Sequence, residues 1–195
     1  MRTIAEVLAA VDEVNAADPN VVEFAGASGP KEVIHSDRMT WWLDRLTDSP
    51  TDAQRIAARA HHLRRWASPR DEYPDGRAGY LRWRVAAKNR HVAEVATLLA
   101  ANGCDTALIA DVSRIMAKEG RTTHADVQAH EDALCLTFCE LQLDDLIDRL
   151  GREHSVEVVR KTIAKMSPAG IALVADVEMS DVAQSVIAEA TVSPA

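Results

Sequence analysis

Residues 77–103 read RAGYLRWRVAAKNRHVAEVATLLAANG, and this stretch sets the fold class. Leu81, Val85, Val92, Val95 and Leu99 recur at helical spacing, which predicts one long helix from about Arg77 to Ala101. Asn102-Gly103 then supplies the residue types that close a helix. The flanking segments follow the same pattern. Thr3 to Ala17 is amphipathic and ends at Asp18-Pro19-Asn20, where proline cannot continue a helix. Val21 to Gly29 reads as a glycine-containing loop. Pro30 suits the first position of a helix to about Leu46, with His35, Met39, Trp42, Leu43 and Leu46 on one face. Ser49-Pro50-Thr51 breaks the chain and offers a cap for a helix to about Ala67, with a stripe of Ile56, Ala60, Leu63 and Ala67. Ser68 to Gly76, with Pro69 and Pro74, is a structured loop. Further helices are expected at about Asp105 to Lys118, Ala125 to Leu150, Val156 to Lys165 and Pro168 to Asp176. No alternating strand pattern occurs, so the expectation is an all-α protein: a single compact helical domain of about seven or eight helices over residues 1–177, followed by a weakly ordered helix and tail over 178–195.

Composition supports this. With 195 residues and 47% apolar content the chain can bury a real core, and one domain is the default. Aromatic residues make up only 4%, which favours close-packed helices over sheets. No stretch approaches the roughly 20 apolar residues needed to span a bilayer, so no membrane partner is expected. The first twenty residues are acidic and amphipathic and lack the basic-then-apolar order of a secretory signal. Cys104, Cys135 and Cys139 are an odd and sparse set, which points to reduced thiols and a cytoplasmic location. Cys135 and Cys139, four apart on one helix, read as small buried hydrophobes.

Charge is unevenly distributed. Ten of the 22 basic residues lie between Arg55 and Arg90 against three acids, Asp71, Glu72 and Asp75, so that window carries +7 in a chain of net −8. It also holds Trp66, Tyr73, Tyr80 and Trp83. Guanidinium forks pair with phosphate or carboxylate and stack on ring faces, so a small anionic or planar partner is expected there. The acidic balance argues against a whole surface that grips nucleic acid, which leaves a local RNA- or protein-binding patch as the non-enzymatic alternative. The sequence does not set the oligomeric state.

Three residues stand out as metal ligands or acid–base groups: His62, His91 and Glu131. His62 lies on the helix flank shared with Arg55, Arg59 and Trp66, at a rim beside the buried stripe. His91 follows Arg84 by two turns on one face, with Lys88 close by. Glu131 falls inside the stripe of Val127, Leu134, Phe138 and Leu141, where a carboxylate is costly unless paired or bound to a cation. Asp132 lies to one side, as a supporting partner, a ligand, or an acid favourable to the helix dipole. The structural alternatives are ordinary. A flank histidine is commonly a hydrogen-bonded structural residue, Glu131 can form an ion pair with a basic side chain, Thr123 with Asp126 makes a plausible capping pair, and the tryptophans serve as core mass. His35, on an apolar face, reads as a satisfied core histidine, and His61 as a solvent neighbour of His62.

PKE at Pro30 to Glu32, SDRMTWWL at Ser36 to Leu43, AARAHHLRRW at Ala57 to Trp66, PRDEYPDGRAGYLRWR at Pro69 to Arg84, EDALCLTF at Glu131 to Phe138 and KTIAKMSPAG at Lys161 to Gly170 resemble the family called domain of unknown function 4202. The resemblance covers nearly the whole chain, to about Asp176. It implies a helical, intracellular, single-domain protein and no particular reaction. It also implies histidine at His62 and His91 and the acidic pair at Glu131 and Asp132. His35 stands where the family pattern has tyrosine and His61 where it has glutamine, which sets both apart from a family-wide metal role.

The order of His62, His91 and then an acid, all on helices, is also similar to the histidine-aspartate metal hydrolase superfamily, although Val92 follows His91 where that group has aspartate. This similarity implies a divalent metal ion (Mn, Fe or Zn) held by His62, His91 and Glu131, with Glu131 and Asp132 in the catalytic role. Arg65, Arg77, Tyr80 and Arg84, with Lys118, are the residues expected around the ligand. The expected function is a metal-dependent hydrolase of a small phosphorylated or nucleotide-like molecule. The same ligand types suit iron, so an iron oxygenase is the alternative enzyme.

Overall fold

The computed structural model describes residues 2–192. Ten α-helices and one hairpin make up the regular structure among them: α1 (Ile4–Ala16), β1 (Val21–Phe24), β2 (Ala27–Pro30), α2 (Lys31–Leu46), α3 (Asp52–Arg59), α4 (Gly76–Ala101), α5 (Thr106–Ala117), α6 (Ala125–Leu141), α7 (Leu143–Leu150), α8 (Arg152–Ile163), α9 (Pro168–Ala172) and α10 (Asp181–Thr191). Three 3-10 turns lie at Arg65–Ala67, Arg70–Glu72 and Leu173–Asp176. The chain is predominantly all-α, as expected. No helix is long and apolar enough to cross a membrane. Caps explain several helix starts: Thr3 and Thr51 each complete a reciprocal capping box, with Glu6 and Gln54, and Asp105 accepts from the Leu108 N–H at 2.8 Å.

Two apolar cores meet along the middle of the molecule. One gathers Met39, Trp42 and Leu43 from α2, Leu136 from α6, Val159 from α8 and Val186 from α10. The other gathers Val7 and Val11 from α1, Ile56 from α3, Leu99 from α4, Ile115 from α5 and Val127 from α6. Helix α6 feeds both cores, with Val127 in one and Leu136 in the other. Fully burying each such side chain contributes roughly 1.5–3 kcal/mol. Trp42 is fully buried, and its indole N–H donates to Glu140 at 3.0 Å while Arg38 grips the same carboxylate with two hydrogen bonds of 2.6 and 2.7 Å.

Four departures from the sequence expectation have identifiable causes. Val21–Gly29 is not a loop but most of an antiparallel hairpin, turned by Ala25 and Gly26 at φ 50° and 77°. The third helix stops at Arg59 rather than near Ala67. The Asn15 amide donates to the Arg59 carbonyl at 3.0 Å, and the Arg59 guanidinium reaches Asp12 and Asp37 at 2.5 Å each. These contacts fasten the end of α3 to α1 and α2. The stripe assigned to α4 holds only in its second half: Val95 and Leu99 are buried, whereas Leu81 and Val85 are exposed and Ala87 and His91 face inward instead. The weakly ordered helix expected within 178–195 is the packed helix α10, with Ala183, Val186, Ile187 and Ala190 buried, and it lies against α8. Residues 193–195 of that expected tail lie outside the described residues.

Candidate functional site

Five of the seven histidines converge where the two cores meet. The early end of α3 places His61 and His62 in a tight turn, closed by a Leu63 N–H donation to Ala60 and an Arg65 N–H donation to His62 at 2.8 Å, with Arg64 left-handed at φ 52°. His35 comes from α2, His91 from α4 and His130 from α6. Ring centroids lie 4.0 Å apart for His35 and His62, 4.8 Å for His61 and His62, 4.8 Å for His61 and His130, and 5.9 Å for His62 and His91. His130 Nε2 is 2.9 Å from His61 Nδ1, so one proton is shared between these two rings.

Glu32, in the first turn of α2, completes the group. Pro30 offers no side-chain cap there. Asp18 replaces it: its carboxylate accepts from the Glu32 N–H at 3.1 Å and from Asn20 at 2.7 and 2.9 Å, which fixes the turn that carries Glu32. Glu32, His35 and His62 each offer one donor atom, and these atoms lie within 4.8 Å of one another, the one such grouping of three metal-type donors among the described residues. His62 Nδ1 is 3.4 Å from Glu32 Oε2. Two ligands at zinc-type distances in tetrahedral geometry are separated by roughly 3.3–3.4 Å, so that edge already has the right length. The Glu32 Oε2 and His35 Nε2 atoms are buried with no hydrogen-bond partner, as are His91 Nε2 and His130 Nδ1. Leaving one buried polar atom unsatisfied costs about 1–3 kcal/mol. Four in one place fit a site built to bind something.

The electrostatics agree. Burial pushes His35 and His130 down to about 3 and His91 down to about 4, helped by the Arg65 charge at His35 and His91 and the Lys118 charge at His130. Burial also holds His61 and His62 well below the usual histidine range. The rings are therefore neutral at pH 7 and present lone pairs, as metal ligation requires. Burial raises the Glu32 carboxyl to about 7 despite the opposing Arg65 charge, so a neighbouring cation would favour its carboxylate form.

The expected ligands His62, His91 and Glu131 are not brought together as one donor group. His62 is in the donor group and His91 stands next to it, but Glu131 turns away. Its carboxylate pairs with Lys118 at 2.5 Å and lies 3.9 Å from Lys165. Asp132 is likewise occupied: it accepts from the Ser167 N–H at 2.8 Å, the Ser167 hydroxyl at 2.5 Å and Gln128 at 2.9 Å, and so anchors α9. Lys118 is held by Glu131 and does not reach outward. Thr123 and Asp126 do not form a capping pair, since Asp126 is engaged by Arg114 at 2.6 Å. Of the arginines, Arg55, Arg59, Arg70 and Arg90 are tied to intramolecular acceptors. Arg65 is half-buried and stacks on Trp83, Arg77 is exposed on the first turn of α4, and Arg84 lies over Tyr80 on the surface. His35 and His61 join the cluster: His35 is buried as a core residue but with its Nε2 unpartnered, and His61 faces His130 where a solvent neighbour was expected. Glu32 was not among the candidates. Its legible signal was Glu-x-x-His at Glu32 and His35, which puts a carboxylate and an imidazole on one helix face.

The model of the family described as Domain of unknown function (DUF4202) matches residues 5–187. The chain belongs to this family. No curated protein and no solved structure matches it. Within this DUF4202 chain the histidine cluster draws on α2, the turn after α3, α4 and α6, all inside the matched region.

Proposed function

We propose that Glu32, His35 and His62 hold a divalent metal ion and that the protein is a metal-dependent hydrolase of a small phosphorylated ester. The observation that carries this is the convergence of those three donors, with Glu32 Oε2 and His35 Nε2 buried and without a hydrogen-bond partner, in a site where the Arg65 charge acts on both residues. A divalent ion held by Glu32, His35 and His62 would supply a water-derived nucleophile at neutral pH. Arg65 holds the anionic phosphoryl group and offsets charge that develops on it. The His61–His130 pair holds a proton between Nδ1 and Nε2 and offers a relay at the edge of the site. The similarity to the histidine-aspartate hydrolases enters here in altered form, with Glu32 of α2 as the carboxylate in place of the missing aspartate after His91.

The test is elemental analysis of untagged protein, followed by assay of phosphomonoesters with Mn, Zn or Fe. About one metal ion per chain is expected, lost in Glu32→Gln and His62→Ala, together with phosphate release. A chain with no metal, whose melting temperature none of the three ions raises, overturns the assignment. One observation favours a second chemistry: two imidazoles and one carboxylate are the ligand set of non-haem iron oxygenases. Iron-specific colour and oxygen consumption, without phosphate release, would mark that outcome.

A further inference from the structure

Two aromatic rings between two guanidinium groups form a file from the exposed Arg84 to Arg65, in the turn that carries His62. Arg84 lies over the Tyr80 ring at 5.8 Å, the Tyr80 and Trp83 rings are 5.8 Å apart at 38°, and Arg65 lies over Trp83 at 4.9 Å. Arg65 is the link: its backbone N–H donates to the His62 carbonyl at 2.8 Å while its guanidinium stacks on Trp83, and its charge acts on Glu32, His35, His62 and His91. No ion pair or hydrogen bond among the described residues takes up its guanidinium, whereas Arg59, Arg70 and Arg90 of the same segment are all engaged. Tyr80 is 44% exposed. The shelf is rigidly mounted. The Trp83 indole donates to the Ser68 carbonyl at 2.8 Å, Arg90 donates to the Ser68 hydroxyl at 2.9 Å, and Arg70 clasps the carbonyls of Tyr73 and Pro74.

We infer that the ester acted on at the histidine cluster is a nucleoside monophosphate, with its phosphoryl group between Arg65 and the Glu32–His35–His62 set and its base stacked on Tyr80. This rests on the metal-hydrolase assignment above. One half-buried guanidinium with no carboxylate partner matches one phosphoryl group. A sugar phosphate or free phosphate would engage Arg65 and leave the ring idle, whereas a nucleotide uses both ends of the file. Aromatic rings bind bases through their π-faces without selecting one base, so the class is set and the base is not. In the reaction a water oxygen bonds to phosphorus, the bond between phosphorus and the ribose oxygen breaks, and the leaving oxygen takes a proton. The products are a nucleoside and inorganic phosphate.

The test compares adenosine monophosphate with glycerol phosphate as substrates of the metal-loaded full chain. The wild type should prefer the nucleotide in kcat/KM, and Tyr80→Ala should reduce that preference roughly 5- to 100-fold through KM, with restoration by Tyr80→Phe. Phosphate release with no preference for the nucleotide, or a preference that Tyr80→Ala leaves intact, overturns this inference while the hydrolase assignment stands. Calorimetric titration of adenosine monophosphate into chelator-treated protein covers the opposite case. Binding weakened by both Arg65→Ala and Tyr80→Ala supports the nucleotide site even if no hydrolysis is found, and no binding in either form of the protein overturns it.

Discussion

The Lys118 ammonium lies 2.5 Å from Glu131 Oε2, a bond between the left-handed end of α5, at φ 61°, and the buried middle of α6. Glu131 is only 4% exposed while Lys118 is 25% exposed, so the two partners are not equivalent. Lys118→Met strands a buried carboxylate, which costs about 3–5 kcal/mol less whatever Lys165 recovers from 3.9 Å away. Glu131→Gln frees a lysine that can reach water, and should cost less. Urea unfolding of both variants checks the order. Neither should change the metal content, and loss of metal in Glu131→Gln would return Glu131 to the ligand set.

Asp132 spends its carboxylate on the start of α9. Gly170 is required beside it, because a Cβ there would meet the Asp132 carboxyl carbon at 2.7 Å. Asp132→Ala leaves the Ser167 N–H and hydroxyl without their acceptor, and should lower stability by about 1–3 kcal/mol. On the proposed assignment, phosphate release by the folded fraction should persist. A specific loss of kcat at unchanged stability would contradict a purely anchoring role.

Acid should unfold the metal-free protein, with a slope that depends on His130. Burial and the Lys118 charge hold this ring at about 3, and Lys118, His35 and His61 face it. In the unfolded chain a histidine titrates near 6.5, so below about that pH the unfolded state binds a proton that the native state refuses. Stability present above pH 6.5 is therefore lost as pH falls toward 3. Replacing the ring with glutamine removes one such proton and should flatten the dependence of unfolding free energy by up to about 1.4 kcal/mol per pH unit between roughly pH 6 and 4. Urea titrations of wild type and His130→Gln across that range decide the matter, and parallel curves would refute it.

Helix identity was legible wherever local rules govern it. The Thr51 cap, the Asn102-Gly103 stop and the stripe of Val95 and Leu99 can be read without tertiary knowledge. The end of α3 was not, because it is set by Asn15 and Asp12 from a helix more than forty residues earlier. That one boundary decides whether His61 and His62 sit on a helix rim or in a turn inside the site. Glu131 looked like a ligand because it lies within an apolar stripe, and periodicity shows burial without naming the partner. Lys118 becomes that partner only once α5 packs beside α6. Glu32 went unnoticed because an acid in a first turn already has an explanation in the helix dipole.

The loop that mounts Trp83 and Arg65 depends on Gly79. A Cβ built at this position would stand 1.8 Å from the Pro74 carbonyl oxygen, a backbone atom that cannot swing aside like a side chain. Gly79→Ala must therefore lift residues 69–75 from α4, straining the Arg70 bonds to Tyr73 and Pro74 and the Trp83 bond to Ser68. Helix propensity alone would favour alanine by about 1 kcal/mol, but overpacking of this kind costs about 1–3 kcal/mol, so the net change should be destabilising. The more telling readout is local. Limited proteolysis should cut the variant within residues 69–75 faster than the wild type, and tryptophan emission should shift to the red as Trp83 loses its cover. Metal content should hold, since the Glu32, His35 and His62 donors come from α2 and the turn after α3. An alanine variant that is more stable than the wild type and equally resistant to protease would mean that the loop does not rest on α4 in solution.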